Sequence, residues 1–298
     1  MRTKQPLIEA KRVKADEFYT PIELIEKEVP YYKDSLKGKV VYCNCDDYRV
    51  SAFYTYFVSH FDDYNLEAVV STSYDPDGYG TYAIYDGEEH VSQLQDNGDF
   101  RGDCCKEILR TSDVVVTNPP FSLFRDFISV MMEYNKQFLV VGNQNAVSHK
   151  NIFPYIKNQE IVLGPSIHSC YRLFYIPDEV DNNNAAYGGV VNGRKYIKVN
   201  GVRWFTNMSH GVKTLPLIMT ATYEEGKYPK YDNCDAIDVS KVRDIPCDYY
   251  GVMGVPVTFI DKWCPEQFKI LGVKKGDDGK YLSINGKMPY TRILIQRL

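Results

Sequence analysis

"VVVTNPPFSLFRDFISVMMEYNKQFLVVGN", residues 114–143, holds the unit that decides the fold. Val114, Val115, Val116 and Thr117 are β-branched and read as a buried strand. Over 122–134 the period changes, and Leu123, Phe124, Phe127, Ile128, Met131 and Met132 share one face of a helix. "QFLVVGN" (137–143) is the next strand. A strand, a helix and a second strand in this order make a parallel crossover.

The same pattern lies upstream. "KVVYCN" (39–44) and "LEAVVST" (66–72) read as strands, and "SAFYTYFVSHF" (51–61) between them has helical spacing. "TPIELIEKEV" (20–29) predicts a short helix with Thr20 as cap and Pro21 in the first turn. "DPDGYG" (75–80) is turn chemistry, "YAIYDG" (82–87) a hairpin arm, and "EILRTS" (107–112) the end of a helix. Past about 165, "CYRLFYI" (170–176) and "KYIKVNGVRWFTNM" (195–208) read as antiparallel strands. From about 221 the chain is rich in Gly, Pro, Tyr and Lys. The expected architecture is α/β, a doubly wound parallel sheet with a boundary near 220.

Composition is ordinary for a globular chain of 298 residues, with 44% hydrophobic and 25% charged residues. The N-terminus, "MRTKQPLIEAKRVKADEF", is charged and lacks the apolar centre of a signal peptide. No apolar run approaches the roughly 20 residues of a membrane span. A soluble cytoplasmic protein without a membrane partner is expected. The eight cysteines form no C-x-x-C pair and the five histidines are scattered, so reduced thiols and no metal site are expected.

Net charge is −4, but its distribution is uneven. Residues 40–110 carry 14 acidic and 4 basic side chains; 186–230 carry 7 basic and 2 acidic, 262–298 carry 8 and 3, and 1–14 carry 5 and 1. A cationic small ligand suits the acidic centre and a polyanion the basic ends. Solvated surface charge without a polyanion is the alternative.

The turn between strand and helix, Asn118-Pro119-Pro120-Phe121, falls where open α/β sheets bind ligands. The residue before a proline is driven towards extended geometry, so Asn118 cannot start the helix. Neither proline donates a backbone hydrogen bond. The Asn118 side-chain oxygen and the Pro119 carbonyl are left as acceptors, beside the flat face of Phe121. Two acceptors and a ring suit a planar exocyclic amine. Hydrogen bonds to both amino protons localise the nitrogen lone pair and stabilise the charge that develops during attack, and positioning against an activated methyl group supplies much of the remainder. A structural β–α turn explains the bare tetrapeptide as well.

Asn-Pro-Pro-Phe after a strand resembles the signature of amino-group methyltransferases that use S-adenosyl-L-methionine. "ADEFYTP" (15–21), "VVYCNCDD" (40–47), "NGDFR" (97–101), "VVVTNPPFSLFR" (114–125), "VVGN" (140–143), "RWFTN" (203–207) and "GVMGVPVTFIDKWCPEQF" (251–268), in this order, resemble the EcoRI-type adenine-specific DNA methyltransferase family over nearly the whole chain. The resemblance implies a Rossmann-like class I methyltransferase with a mostly parallel seven-stranded sheet over 1–220, and a smaller irregular target-recognition region over 221–298. It implies methyl transfer to the N6 amino group of adenine in duplex DNA by base flipping. It also implies a bacterial or phage source, a monomer or weak dimer, and a companion restriction endonuclease that activity does not require. An RNA or protein-glutamine methyltransferase, and an inactive DNA-binding module of the same fold, stand beside it.

By resemblance, Tyr19, Thr20 and Pro21 face the methionine end of the cofactor. Asn44, Asp46 and Asp47 form the cofactor loop, Asp99 and Phe100 lie near the cofactor adenine, and Asn118, Pro119, Pro120 and Phe121 are the catalytic turn. The chain departs from the general pattern in two places. Residues 43–53 contain no glycine, so Asn44, Asp46 or Asp47 is expected to supply the left-handed geometry. No acid follows the second strand directly, leaving Ser73 or Asp75 for the ribose. Phe121 covers one face of a flipped base; Trp204 and Phe205 are candidates for the other, or two core aromatics. Arg194, Lys195, Lys198, Arg203, Lys274 and Lys275 are candidate DNA contacts.

Overall fold

The computed structural model describes residues 19–168, 171–176, 187–191 and 193–298. The basic stretch 1–14 and Cys170 lie outside the described residues. The chain divides into two compact units, the first running to Asn143 and including Ile161–Gly211, the second made of Gln144–Glu160 and Val212–Leu298. Composition places the change near 220; the second unit begins at Val212 and also takes in Gln144–Glu160, which carries no compositional mark.

In the first unit, β1 (Val40–Cys43), β2 (Ala68–Thr72), β3 (Thr81–Tyr85), β4 (Glu89–Gln93), β5 (Val114–Thr117), β6 (Gln137–Asn143) and β7 (Val162–Leu163) precede a small sheet. That sheet is built from β8 (Tyr171–Tyr175), β9 (Tyr187–Val191) and β10 (Arg194–Asn200), and β11 (Val202–Thr206) follows. The large sheet has the order β4-β3-β2-β1-β5-β6-β11-β7. Its centre, β2-β1-β5-β6, is parallel. Both flanks are antiparallel. The expectation of seven mostly parallel strands is therefore corrected to eight strands in a mixed sheet. The links 73–80 and 86–88 are too short for parallel crossovers, which take a dozen residues or more, so β3 and β4 fold back as hairpins.

The helices follow from the side-chain pattern. They are α1 (Ile22–Glu28), α2 (Lys33–Leu36), α3 (Ala52–Ser59), α4 (Phe61–Tyr64), α5 (Asp103–Thr111) and α6 (Phe124–Glu133) in the first unit, with α7 (Phe153–Lys157) in the second. Ser51 caps α3 by accepting the Tyr54 N–H at 3.1 Å. Thr20 does not cap α1. Pro21 occupies that position in extended geometry and its carbonyl accepts the Leu24 N–H. The strap before it stays extended because Tyr19 exchanges two backbone hydrogen bonds with Tyr175, at 2.9 and 3.1 Å.

Alternation along the central strands sends Val41, Cys43, Val114, Val116, Leu139, Val141 and Trp204 towards Phe53 and Phe57 of α3. Val115, Phe138, Val140 and Phe205 are equally buried, as are Phe124, Phe127, Ile128 and Met131 of α6. Burial on both faces is why these strands read as unbroken apolar runs.

The second unit carries β12 (Ala236–Asp238), β13 (Val252–Pro256), β14 (Phe268–Val273) and β15 (Arg292–Arg297) in the order β12-β13-β15-β14. A buried ion pair crosses it: Arg292 Nε donates to Asp238 Oδ1 at 2.8 Å, and the same oxygen accepts the Tyr231 hydroxyl at 2.6 Å.

Candidate active site

The four parallel strands end on one edge. Asn44–Asp47 follow β1, Ser73–Asp75 follow β2 and Asn118 follows β5. The chain moves outward from β1 to β2 and later returns on the other side of β1 with β5. That reversal opens a crevice between β1 and β5, the usual ligand position in such sheets. The Asn44 loop and the Asn118 turn stand on its two sides.

A hydroxyl at the end of β5 joins them. Thr117 Oγ1 lies 2.7 Å from Asp46 Oδ2 and is hydrogen-bonded to the Asn44 carbonyl. A threonine hydroxyl has one proton. That proton serves one of the two acceptors at a time, the Asp46 carboxyl or the Asn44 carbonyl, so the hydroxyl ties the end of β5 to both. Removal from water pushes the Asp46 carboxyl up to about 7, against the hydroxyls of Thr117 and Ser51 and with the neighbouring Asp47 charge. Asp46 is further fixed by its backbone, whose N–H donates to the Thr72 carbonyl at 2.9 Å and whose carbonyl accepts the Ser71 hydroxyl.

Cys45, between Asn44 and Asp46, has φ +62. The left-handed residue of this glycine-free loop is thus Cys45, and not Asn44, Asp46 or Asp47. Neighbouring contacts hold it there: Cys45 Sγ donates to Asn44 Oδ1 at 3.4 Å, and the Thr72 hydroxyl reaches that oxygen at the same distance. Asn44 is fully buried, and its Nδ2 has no hydrogen-bond partner among the described residues; the same holds for the buried Thr20 hydroxyl. Asp47 turns away to Arg49, whose Nε donates at 2.9 Å. Burial pushes the Asp47 carboxyl up, but the Arg49 hydrogen bonds outweigh it and hold it below the usual range.

The loop 97–101 closes one side. Gly98, at φ +76, lies so close to Ser73 that a Cβ would collide with the Ser73 carbonyl. Asp75 N–H donates to the Asn97 carbonyl at 2.9 Å. Asp99 is held below the usual carboxylate range by hydrogen bonds from Arg101. Phe100 is buried, 5.1 Å from Phe127 of α6, so this loop packs on the helix that follows the Asn118 turn. Ser73 Oγ accepts the Thr81 N–H at 3.1 Å, while Asp75 is exposed and accepts the Asp77 N–H. In the turn itself Asn118, Pro120 and Phe121 are half-buried, Pro119 is buried, and Pro120 is extended at ψ 126.

The family model described as "Adenine-specific methyltransferase EcoRI" matches the chain over residues 6–93 and 77–298. The chain belongs to this family. It is similar to Type II methyltransferase M.EcoRI of Escherichia coli, 41% identical over 315 residues, covering 99% of this chain and 97% of that protein. It is similar to Type II methyltransferase M.MpnI of Mycoplasma pneumoniae, 36% identical over 309 residues and 97% of each chain. Type II methyltransferase M.MgeORF184P of Mycoplasma genitalium is 34% identical over 308 residues, again 97% of each. The mixed α/β sheet is a methyltransferase-like fold, and the chain is an enzyme of this methyltransferase family.

For Trp204 and Phe205 the core alternative holds, and Arg203 is corrected. Trp204 and Phe205 are fully buried in β11, Trp204 edge-on to Phe53 at 6.0 Å and Phe205 against Phe124 at 5.0 Å. Enclosed rings have no face to offer a base, so both are core aromatics. Arg203 is 1% exposed and spends its guanidinium on the Val202 and His168 carbonyls, which removes it from any phosphate. Arg194 and Lys198 are exposed on β10 and Lys195 is half-buried; Lys275 is exposed and Lys274 half-buried beyond β14. The sequence reading missed Thr117. Its signal was a hydroxyl ending an otherwise all-valine buried strand.

Proposed function

We propose that this DNA methyltransferase transfers the methyl group of S-adenosyl-L-methionine to N6 of adenine in duplex DNA, with the target base flipped out of the helix. The observation that carries the reading is the Thr117 bridge, which sets the Asn118 turn beside the Asn44–Asp46 loop. The donor set fits the cofactor: the unmet Asn44 amide and Thr20 hydroxyl are polar groups that a polar ligand satisfies, and the Asp46 carboxylate suits a cationic amino group. Tyr19 and Pro21 fix the Thr20 strap, and Asp99 and Phe100 border the site. When bound, the cofactor supplies an electrophilic methyl on a cationic sulfur.

The chain's own residues do the remainder. The Asn118 side-chain oxygen and the Pro119 carbonyl accept the two amino protons of adenine and pull its nitrogen towards tetrahedral geometry. Both stabilise the positive charge that grows there. Phe121 stacks on the flipped base, and Pro120 keeps the turn extended. The alkylated amine is acidic enough to lose its proton without a strong base.

Arg194, Lys198 and Lys274 are candidate contacts to DNA phosphates, and the surrounding region 186–298 is basic. A partition experiment tests the substrate class. The full chain is incubated with methyl-tritiated cofactor and, separately, duplex DNA, RNA and protein extract. Label in duplex DNA supports the reading; label confined to RNA or protein overturns it.

A further inference from the structure

The link between β14 and β15, residues 274–291, is an arm fastened by carboxylates and amides. Asp232 accepts the N–H groups of Asn285 and Gly286 at 3.0 and 2.9 Å. Asn233 Nδ2 donates to Asp278 Oδ1 at 2.9 Å and to the Tyr281 carbonyl at 3.0 Å. Asp277 accepts from Asp235 N–H and Cys234. The arm's four lysines, Lys274, Lys275, Lys280 and Lys287, form no ion pair among the described residues. With these four lysines against Asp277 and Asp278, the firmly tied arm carries positive charge in excess.

This arm borders a cleft of about 430 Å³, within the size range of small-ligand sites, roughly 300–1,000 Å³. Lys274 lies in its lining, half-buried, and burial lowers its affinity for a proton. Arg292 forms another part of the wall, but its charge is spent on Asp238. Tyr290 and Met288 also line the cleft and are 90% and 70% exposed. An unpaired cation beside an exposed ring and a thioether calls for an anion with an apolar neighbour. A sugar-phosphate has both.

We infer that this cleft seats one nucleotide of the DNA backbone, with the phosphate on Lys274 and its sugar packed on Tyr290 and Met288. The inference rests on the duplex-DNA reading above and adds a place and a geometry to it. Lys275 is a built-in comparison: it carries the same charge one residue along, but its ammonium lies 4.2 Å from the Tyr281 ring centre, and it is not in the cleft lining.

The test uses the full chain, a fluorescein-labelled DNA duplex and a range of salt concentrations. Each phosphate neutralised adds about 0.9 to the slope of log affinity against log salt. Lys274→Gln is expected to reduce the slope by about 0.9, and Lys275→Gln to leave it near wild type. Tyr290→Ala is expected to weaken binding about fivefold at fixed salt with the slope unchanged, because it removes apolar packing and no charge. Tyr290 is too exposed for its loss to unfold the chain, and unaltered thermal melts and S-adenosylhomocysteine affinity verify this. Wild-type affinity and slope in both Lys274→Gln and Tyr290→Ala would overturn the cleft while leaving the duplex-DNA reading intact. Equal slope changes in the two lysine variants would assign the effect to general charge and overturn it as well. Wild-type protein that binds no duplex would overturn both readings.

Discussion

In the proposed mechanism Asn118 and Asp46, on either side of the Thr117 bridge, have different parts. Asn118→Ala removes an acceptor that acts as charge develops, so turnover should fall by about 3–4 kcal/mol of transition-state stabilisation, in line with losses of comparable oxyanion-hole groups. Calorimetric titration with S-adenosylhomocysteine should show cofactor affinity retained. Asp46 governs stability against pH. Its folded carboxyl titrates at about 7 against an ordinary 3.8. Below 3.8 it is neutral in both states; between the two values the unfolded chain ionises first, so stability falls as pH rises and the loss is complete above 7. In the absence of cofactor, the thermal midpoint of Asp46→Asn relative to wild type should therefore climb from pH 4 to 7 and then level off. A constant difference across that range would mean that Asp46 is ordinarily solvated.

Among the elements, the β5–turn–α6 unit was legible because its residues say the same thing locally and globally: β-branched, then proline, then apolar at helical spacing. Phe124, Phe127, Ile128 and Met131 are buried as that spacing requires. The antiparallel flanks were less legible, since strand direction is set by link length and pairing partner, which apolar runs do not encode. The burial of Arg203, and the choice between base and core for Trp204 and Phe205, are illegible in sequence for a related reason. Sitting in β11 between β6 and β7, they are enclosed by neighbours remote in sequence. The Asn44 loop was half legible: its lack of glycine was plain, but which residue takes the left-handed turn depends on the hydrogen bonds around Asn44. Cys45→Val should destabilise the chain by about 1–2 kcal/mol in urea unfolding, because a β-branched side chain tolerates φ +62 worst. Cys45→Gly should come out near neutral, strain relief offsetting the entropy that glycine loses on folding. Equal losses in both variants would show that the thiol contact with Asn44, and not the backbone, is what matters.

At the scale of the molecule, the acidic run 40–110 contains the Asn44–Asp47 and Asn97–Phe100 loops, while basic residues gather in 186–230 and 262–298. On the proposed reading, a cationic cofactor and an anionic polymer are served by different parts of the chain. DNA affinity should fall steeply with salt, and S-adenosylhomocysteine affinity should change far less. The central claim is that the Asn118 turn presents its acceptors to the amino group of adenine, and the identity of the methylated nucleoside tests it most directly. Duplex DNA lacking adenine methylation is incubated with methyl-tritiated cofactor, digested to nucleosides and separated. The account expects label in N6-methyldeoxyadenosine with wild type and none with Asn118→Ala. Label in a methylated cytosine, or undiminished N6-methyladenine from Asn118→Ala, would contradict it.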